Sequence, residues 1–177
     1  MSSPDIAGKA EAAGFYRFEW VTDRFQKGDK VARSSAPYYS GGDESQNMTV
    51  DSVAFLKQHC ITNIISLNHY ADDDKIRTAL KQANIAYTPL PTKDFAPPTE
   101  AQLKEAWEAF CQHRNSSLVY CGYGHGRTGT VISALQIYAE CEKRSQGELT
   151  RKDYDKNHVE EEGQRQVLDA LQKELRK

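Results

Sequence analysis

From Ser117 to Tyr138 the chain reads as a short apolar strand, a loop with three glycines in five residues, and a helix carrying Val131, Ile132, Ala134, Leu135, Ile137 and Tyr138. Those six side chains cover most of the helix's girth. Such a helix has no broad solvent face and must run through a core. Upstream, Val53, Leu56 and Cys60 stand at helical spacing, and Ile61, Ile64, Ile65 and Leu67 read as a buried strand. A second helix carries Ile76, Ala79, Leu80 and Ala83 on one face and leads to a strand over 85–90. Leu103, Ala106, Trp107 and Phe110 then form a third helical stripe. This alternation predicts an α/β fold, a central mostly parallel sheet flanked by helices, with its site at the carboxyl ends of the strands.

Local signals place the boundaries. The triplet Asp72-Asp73-Asp74 opens a helix, where acidic groups complement the dipole, and reads as a cap and not a metal site. Thr99-Glu100-Ala101-Gln102 is a capping-box pattern. Phe15 to Val21 and Val31 to Ser34 read as strands around the turn Lys27-Gly28-Asp29, and Tyr38 to Asn47, with Gly41-Gly42-Asp43, reads as a solvated surface connection. Residues 1–14, small and polar, are expected to form a flexible arm, and 15–177 a single domain.

A formal net charge of −2 gives no bulk attraction to nucleic acid or to an anionic membrane. No apolar run approaches the roughly 20 residues that span a bilayer, and the first 14 residues lack a secretory core, so the expected compartment is the cytoplasm, with no membrane insertion. Cys60, Cys111, Cys121 and Cys141 show no paired or metal spacing, so neither a cofactor nor a metal is expected. Three of them, Cys60, Cys111 and Cys141, sit at apolar helical positions and read as core residues.

The loop Cys121-Gly122-Tyr123-Gly124-His125-Gly126-Arg127 places a thiol and a guanidinium at its two ends, just where a helix begins. Glycines let backbone N–H groups turn inward, and a helix N-terminus favours an anion, so Gly122, Tyr123, Gly124, His125 and Gly126 are candidates for cradling a phosphate. Arg127 can supply a bidentate fork to two phosphate oxygens. Cys-x5-Arg alone arises by chance in roughly one such sequence in five; with Gly124, Thr128 and Gly129 also required, the rate falls to on the order of one in ten thousand.

At these residues the chain resembles the cysteine-phosphatase superfamily, whose signature is Cys, five residues, Arg, then Ser or Thr. Leu90-Pro91-Thr92-Lys93-Asp94-Phe95-Ala96-Pro97-Pro98-Thr99 is similar to the acid-bearing loop of the small atypical dual-specificity phosphatases. Phe18-Glu19-Trp20-Val21 and Arg33-Ser34-Ser35-Ala36-Pro37 resemble that group's entry strands, and His158-Val159-Glu160 with Gln164 and Leu168 its last helix. The family usually has His before the nucleophile, where this chain has Tyr120.

The resemblance implies hydrolysis of phosphate monoesters through a cysteinyl-phosphate, with Cys121 as nucleophile and Arg127 on the phosphate. It also implies Asp94 as general acid and then base, desolvated by Phe95, Pro97 and Pro98, and Thr128 donating its hydroxyl to the sulfur. The expected partners are phosphorylated proteins, carrying phosphotyrosine and also phosphoserine or phosphothreonine. Two alternatives stand beside this. One is a phosphoinositide or inositol-phosphate phosphatase, for which the loop lacks the lysines such substrates favour. The other is a phosphate-binding protein without turnover, which Tyr120 keeps open.

Overall fold

Five strands form one sheet in the order β1-β2-β5-β3-β4: β1 (Glu19–Val21), β2 (Val31–Ser34), β3 (Asn63–Ser66), β4 (Ala86–Pro89) and β5 (Ser117–Tyr120). Only the β1–β2 pair is antiparallel. The sheet is therefore mostly parallel, as the alternation predicts. The structure is a computed structural model that describes residues 4–145 and 147–177.

Adjacent residues on the inner strands point to opposite faces, and both faces are covered, which is why these strands read as continuous apolar runs. Val31, Ile65 and Val119 pack on one side with Leu103 and Phe110 of α4 (Glu100–Gln112), Leu135 of α5 (Gly126–Glu142) and Leu168 and Leu171 of α7 (Glu162–Leu175). Ala32, Ile64, Leu118 and Tyr120 pack on the other with Phe55 and Leu56 of α2 (Val50–Gln58) and Ile76 and Leu80 of α3 (Asp74–Gln82). Helix α5 is buried along nearly its whole length, consistent with its all-round apolar sequence. Truncating Leu135, which has no exposed surface, to alanine costs about 2–5 kcal/mol.

The caps follow their sequence signals. The Asp73 carboxylate accepts the amides of Lys75 and Ile76, and Thr99 and Gln102 close a capping box that starts α4. Parallel register sets Ser34, Tyr120 and Ser66 level with one another and Ser66 level with Pro89. Four carboxyl-end loops thus open at one edge of the sheet.

Several expectations are corrected. In place of a flexible arm, residues 4–12 form helix α1 (Pro4–Ala12), seated through Ala10 and the following Ala13 and Phe15 on the α2 side; residues 1–3 lie outside the described residues. The first strand is confined to Glu19–Val21, because Arg17 adopts a left-handed φ of 57° that extended backbone cannot accommodate. Cys60 is exposed: it follows the end of α2 with φ 57°, where the helical spacing no longer applies. Cys111 and Cys141 are only half-buried. His158 to Glu160 form the turn after a short helix α6 (Arg151–Lys156) and precede α7. No helix among the described residues is long and apolar enough to cross a membrane.

Candidate active site

The glycine-rich loop lies between β5 and α5, with Cys121 and Arg127 both 2% exposed. Gly124 has φ 106°, and a Cβ there would sit 2.7 Å from the Ser34 carbonyl oxygen, so backbone conformation and packing both demand glycine. At Gly122 a Cβ would run into Oδ1 of Asp43.

Two arginines hold the loop from outside. Arg33, itself 3% exposed, donates from Nη2 to the Gly124 carbonyl at 3.0 Å. Arg17 donates Nε and Nη2 to the Tyr123 carbonyl at 3.0 and 2.7 Å and lies 3.7 Å from the Tyr123 ring centroid. Burial holds the Arg33 guanidinium below its ordinary value, opposed by the charges of Glu19 and Cys121. From the sheet side, Asn68 donates Nδ2 to the Cys121 carbonyl at 3.1 Å and to the Asp43 carbonyl at 3.2 Å.

Arg127 is the hub. Its Nη1 donates to Asp43 Oδ2 at 2.6 Å, to the Thr92 carbonyl at 2.9 Å and to the Leu67 carbonyl at 3.3 Å. Its Nη2 meets Asp43 Oδ1 at 2.9 Å and forms an ion pair with Asp94 Oδ1 at 3.1 Å. Burial works against this guanidinium's charge, but the Asp43 hydrogen bonds and the charges of Cys121, Asp43 and Asp94 raise its affinity for the proton. Burial likewise opposes ionisation of Asp43; the Arg127 hydrogen bond, the His69 amide at 2.8 Å and the Arg127 and His69 charges prevail and hold its carboxyl below the usual range.

Asp94 is thus set beside the guanidinium that closes the loop begun by Cys121. The acid's surroundings differ from expectation: the Asp94 side chain is 57% exposed, and Phe95, at φ 65°, turns to solvent at 57% exposure, with Pro97 also exposed. The loop is steadied by its backbone, through Gln102 Nε2 on the Pro91 carbonyl at 3.0 Å and Gln164 Nε2 on the Ala96 carbonyl at 3.3 Å. The Thr128 hydroxyl is buried without a hydrogen-bond partner among the described residues, so the expected bond to sulfur is not formed.

His125 lines a cavity to which Cys121 does not contribute. It stacks on His158 at 4.2 Å and shares this cavity of about 220 Å³ with Arg17, Arg33 and Glu19; burial and the charges of His158, Arg33 and Arg17 push its pKa down to about 4. Tyr123 is 47% exposed, its ring 5.9 Å edge-on from Tyr39. Tyr120 is wholly buried in the α2–α3 side of the core, and its hydroxyl has no hydrogen-bond partner among the described residues. No cluster of three or more His, Cys, Asp or Glu suited to a metal occurs among the described residues.

Sequence reasoning missed Asp43, Asn68, Arg17 and Arg33. Arg33 alone left a signal: a charge inside the run Val31-Ala32-Arg33 has to be paired.

A family model described as Swiss Army Knife protein, DSP-PTPase phosphatase domain (PTP-SAK), matches residues 41–174. The chain belongs to this family. PTP-SAK is a dual-specificity-phosphatase-like domain, so membership implies hydrolysis of phosphomonoesters and phosphorylated substrates. A search of curated proteins finds no match. Among solved structures, a kinase associated phosphatase with serine at its catalytic cysteine superposes with a TM-score of 0.71 at 18% identity, covering 90% of this chain and 96% of that one. PTPMT1 in complex with PI(5)P superposes with a TM-score of 0.60 at 16% identity, covering 87% and 94%. The core catalytic domain of the PP-IP phosphatase SIW14 from S. cerevisiae gives 0.58 at 17% identity, covering 86% and 83%. These likenesses show that the PTP-SAK domain shares the cysteine-phosphatase fold.

Proposed function

We propose that this PTP-SAK domain hydrolyses phosphotyrosine, and also phosphoserine and phosphothreonine, in proteins through a cysteinyl-phosphate. The observation that carries the reading is the Asp94–Arg127 ion pair at 3.1 Å, which sets a carboxyl beside the guanidinium of the loop that bears Cys121. In the first step the Cys121 thiolate attacks phosphorus, the P–O bond to the leaving group breaks, and Asp94 gives that oxygen its proton. In the second, Asp94 takes a proton from water, the water oxygen attacks phosphorus, and the P–S bond breaks to return the thiolate and release phosphate. The loop amides and Arg127 face the charge that develops on the phosphoryl oxygens.

Protein substrates are favoured by the rim. Tyr39, Tyr123 and Phe95 offer aromatic surface to a phenyl ring or peptide, whereas Asp43 and Asp94 place two carboxylates at Arg127 and the loop contains no lysine. PTPMT1 and SIW14 are crystallised or named with inositol-based phosphates, but a polyphosphorylated ring would meet those carboxylates here. The test is release of phosphate from an aryl phosphate by the parent and Cys121→Ser proteins, followed by a panel of phosphopeptides and phosphoinositides. Turnover that survives Cys121→Ser refutes the mechanism, and preference for phosphoinositides refutes the substrate class.

A further inference from the structure

Resting on the phosphomonoesterase reading of the loop, we infer that Asp43 is a positioning residue for Arg127, fixing its guanidinium so that the Nε–Nη2 edge faces the phosphate. The segment that carries Asp43 reads as a solvated connection in the sequence, yet it is built into the site. Its carboxylate is 9% exposed against a guanidinium 2% exposed, and it spans Nη1 and Nη2 at 2.6 and 2.9 Å. A buried pair of this kind is worth most to the partner left behind, since removing one member strands the other charge.

Hydrogen counting decides which edge is used. Nη1 has two N–H groups and three acceptors around it, Asp43 Oδ2, the Thr92 carbonyl and the Leu67 carbonyl. It has nothing left for a substrate. Asp43 takes one N–H of Nη2, Asp94 Oδ1 approaches Nη2 at 3.1 Å as an ion pair without hydrogen-bond geometry, and every hydrogen bond the guanidinium makes to the described residues leaves from Nη1 or Nη2. The side edge, Nε with the second N–H of Nη2, is the two-pronged fork that remains for phosphoryl oxygens. Asp43 therefore sits beside the phosphate position, holding the fork in plane.

Asp43 does not depend on Arg127 for its own placement. Its Oδ2 accepts the His69 amide, its carbonyl accepts Asn68 Nδ2, and two residues on from it the Ser45 hydroxyl donates to the Gly42 carbonyl at 2.6 Å while accepting the Ser40 amide at 2.8 Å. Gln46 Nε2 adds a bond to the Tyr70 carbonyl at 2.7 Å. The loop is thus clamped to the segment after β3, and glycine at 122 leaves the room that Oδ1 occupies.

The test combines steady-state kinetics on an aryl phosphate with tungstate binding by calorimetry, for the parent and for D43N, D43A, D43E, R127K and D43A/R127K, all checked for folding by thermal melts. The expected result for D43A is a loss of about tenfold or more in kcat/KM, carried mainly by kcat, with tungstate binding weakened and D43E recovering part of it. Adding D43A to R127K should cost little further, because Asp43 acts through Arg127. D43N, which keeps the volume but loses the charge, supplies the comparison if D43A does not fold. Kinetics within twofold of the parent, fully additive losses with R127K, or tighter tungstate binding in D43A would overturn the inference, the last by showing that Asp43 competes with phosphate. If the parent does not turn over aryl phosphate, the catalytic reading fails by itself, and the tungstate cycle still decides the role of Asp43.

Discussion

Arg33 donates to the carbonyl of Gly124 at 3.0 Å across 91 residues of sequence: it sits on β2, while its acceptor crowns the loop after β5. A loop whose amides are to face an anion must turn its carbonyls elsewhere, and a buried guanidinium gives this one a fixed partner. Replacing Arg33 with Met keeps the apolar stem and leaves the carbonyl without that donor, at a cost of about 1–3 kcal/mol, or roughly 2–12 °C in melting temperature for a chain of this size. Turnover should fall as well. Unchanged melting together with unchanged kcat would remove Arg33 from the account.

Gly124 meets two constraints at once, φ 106° and the Ser34 carbonyl 2.7 Å from where a Cβ would stand. Gly124→Ala is expected to destabilise by about 1–3 kcal/mol and to displace the amides of the loop, so that tungstate affinity falls with stability. Gly28, also at positive φ (94°) but with open space around it, is the control: alanine there carries the backbone penalty without the collision and should leave tungstate affinity unchanged. Equal effects on anion binding at the two positions would show that the collision is immaterial.

Asp94 reaches Arg127 from a loop exposed to water, so its effect on rate should depend on what it protonates. Asp94→Ala is expected to lower kcat about 10²–10⁴-fold for phenyl phosphate, whose leaving group needs a proton, and much less for aryl phosphates whose phenols are strong acids. A uniform loss across leaving groups would assign Asp94 to holding Arg127 and take general-acid catalysis away from it.

What could be read from the sequence is what local pattern controls. Cys121 to Arg127 form one continuous loop, and the girth of α5 is written in consecutive residues, so loop, helix and sheet type were legible. Asp43 was not, because its meaning comes from Arg127, 84 residues away, and a Gly-Gly-Asp segment looks alike whether solvated or docked. Helix α1 was missed for a different reason: its seat depends on Ile6, Ala10 and Ala13, a stripe with the right spacing but little apolar volume. The desolvation expected for Asp94 failed on one dihedral, since a left-handed Phe95 sends its ring outward.

His125 should leave a signature in the pH dependence of stability. Burial comes first, then the charges of His158, Arg33 and Arg17, and together they lower its pKa from 6.5 to about 4 in the fold. Between those values the unfolded chain binds a proton at this site that the folded chain does not. Stability therefore falls as pH is lowered through the window from 6.5 to about 4. Asp43 acts elsewhere on the scale: its carboxyl is held below 3.8, so its contribution is complete above that value and is lost only as pH falls further, through its folded pKa. Urea unfolding of the parent and His125→Asn proteins across both ranges separates the two. The variant should show a flatter curve between 6.5 and about 4 and the same steep loss at lower pH. Parallel curves throughout would mean that His125 titrates alike in the folded and unfolded chain, and that its neighbours do not hold it neutral.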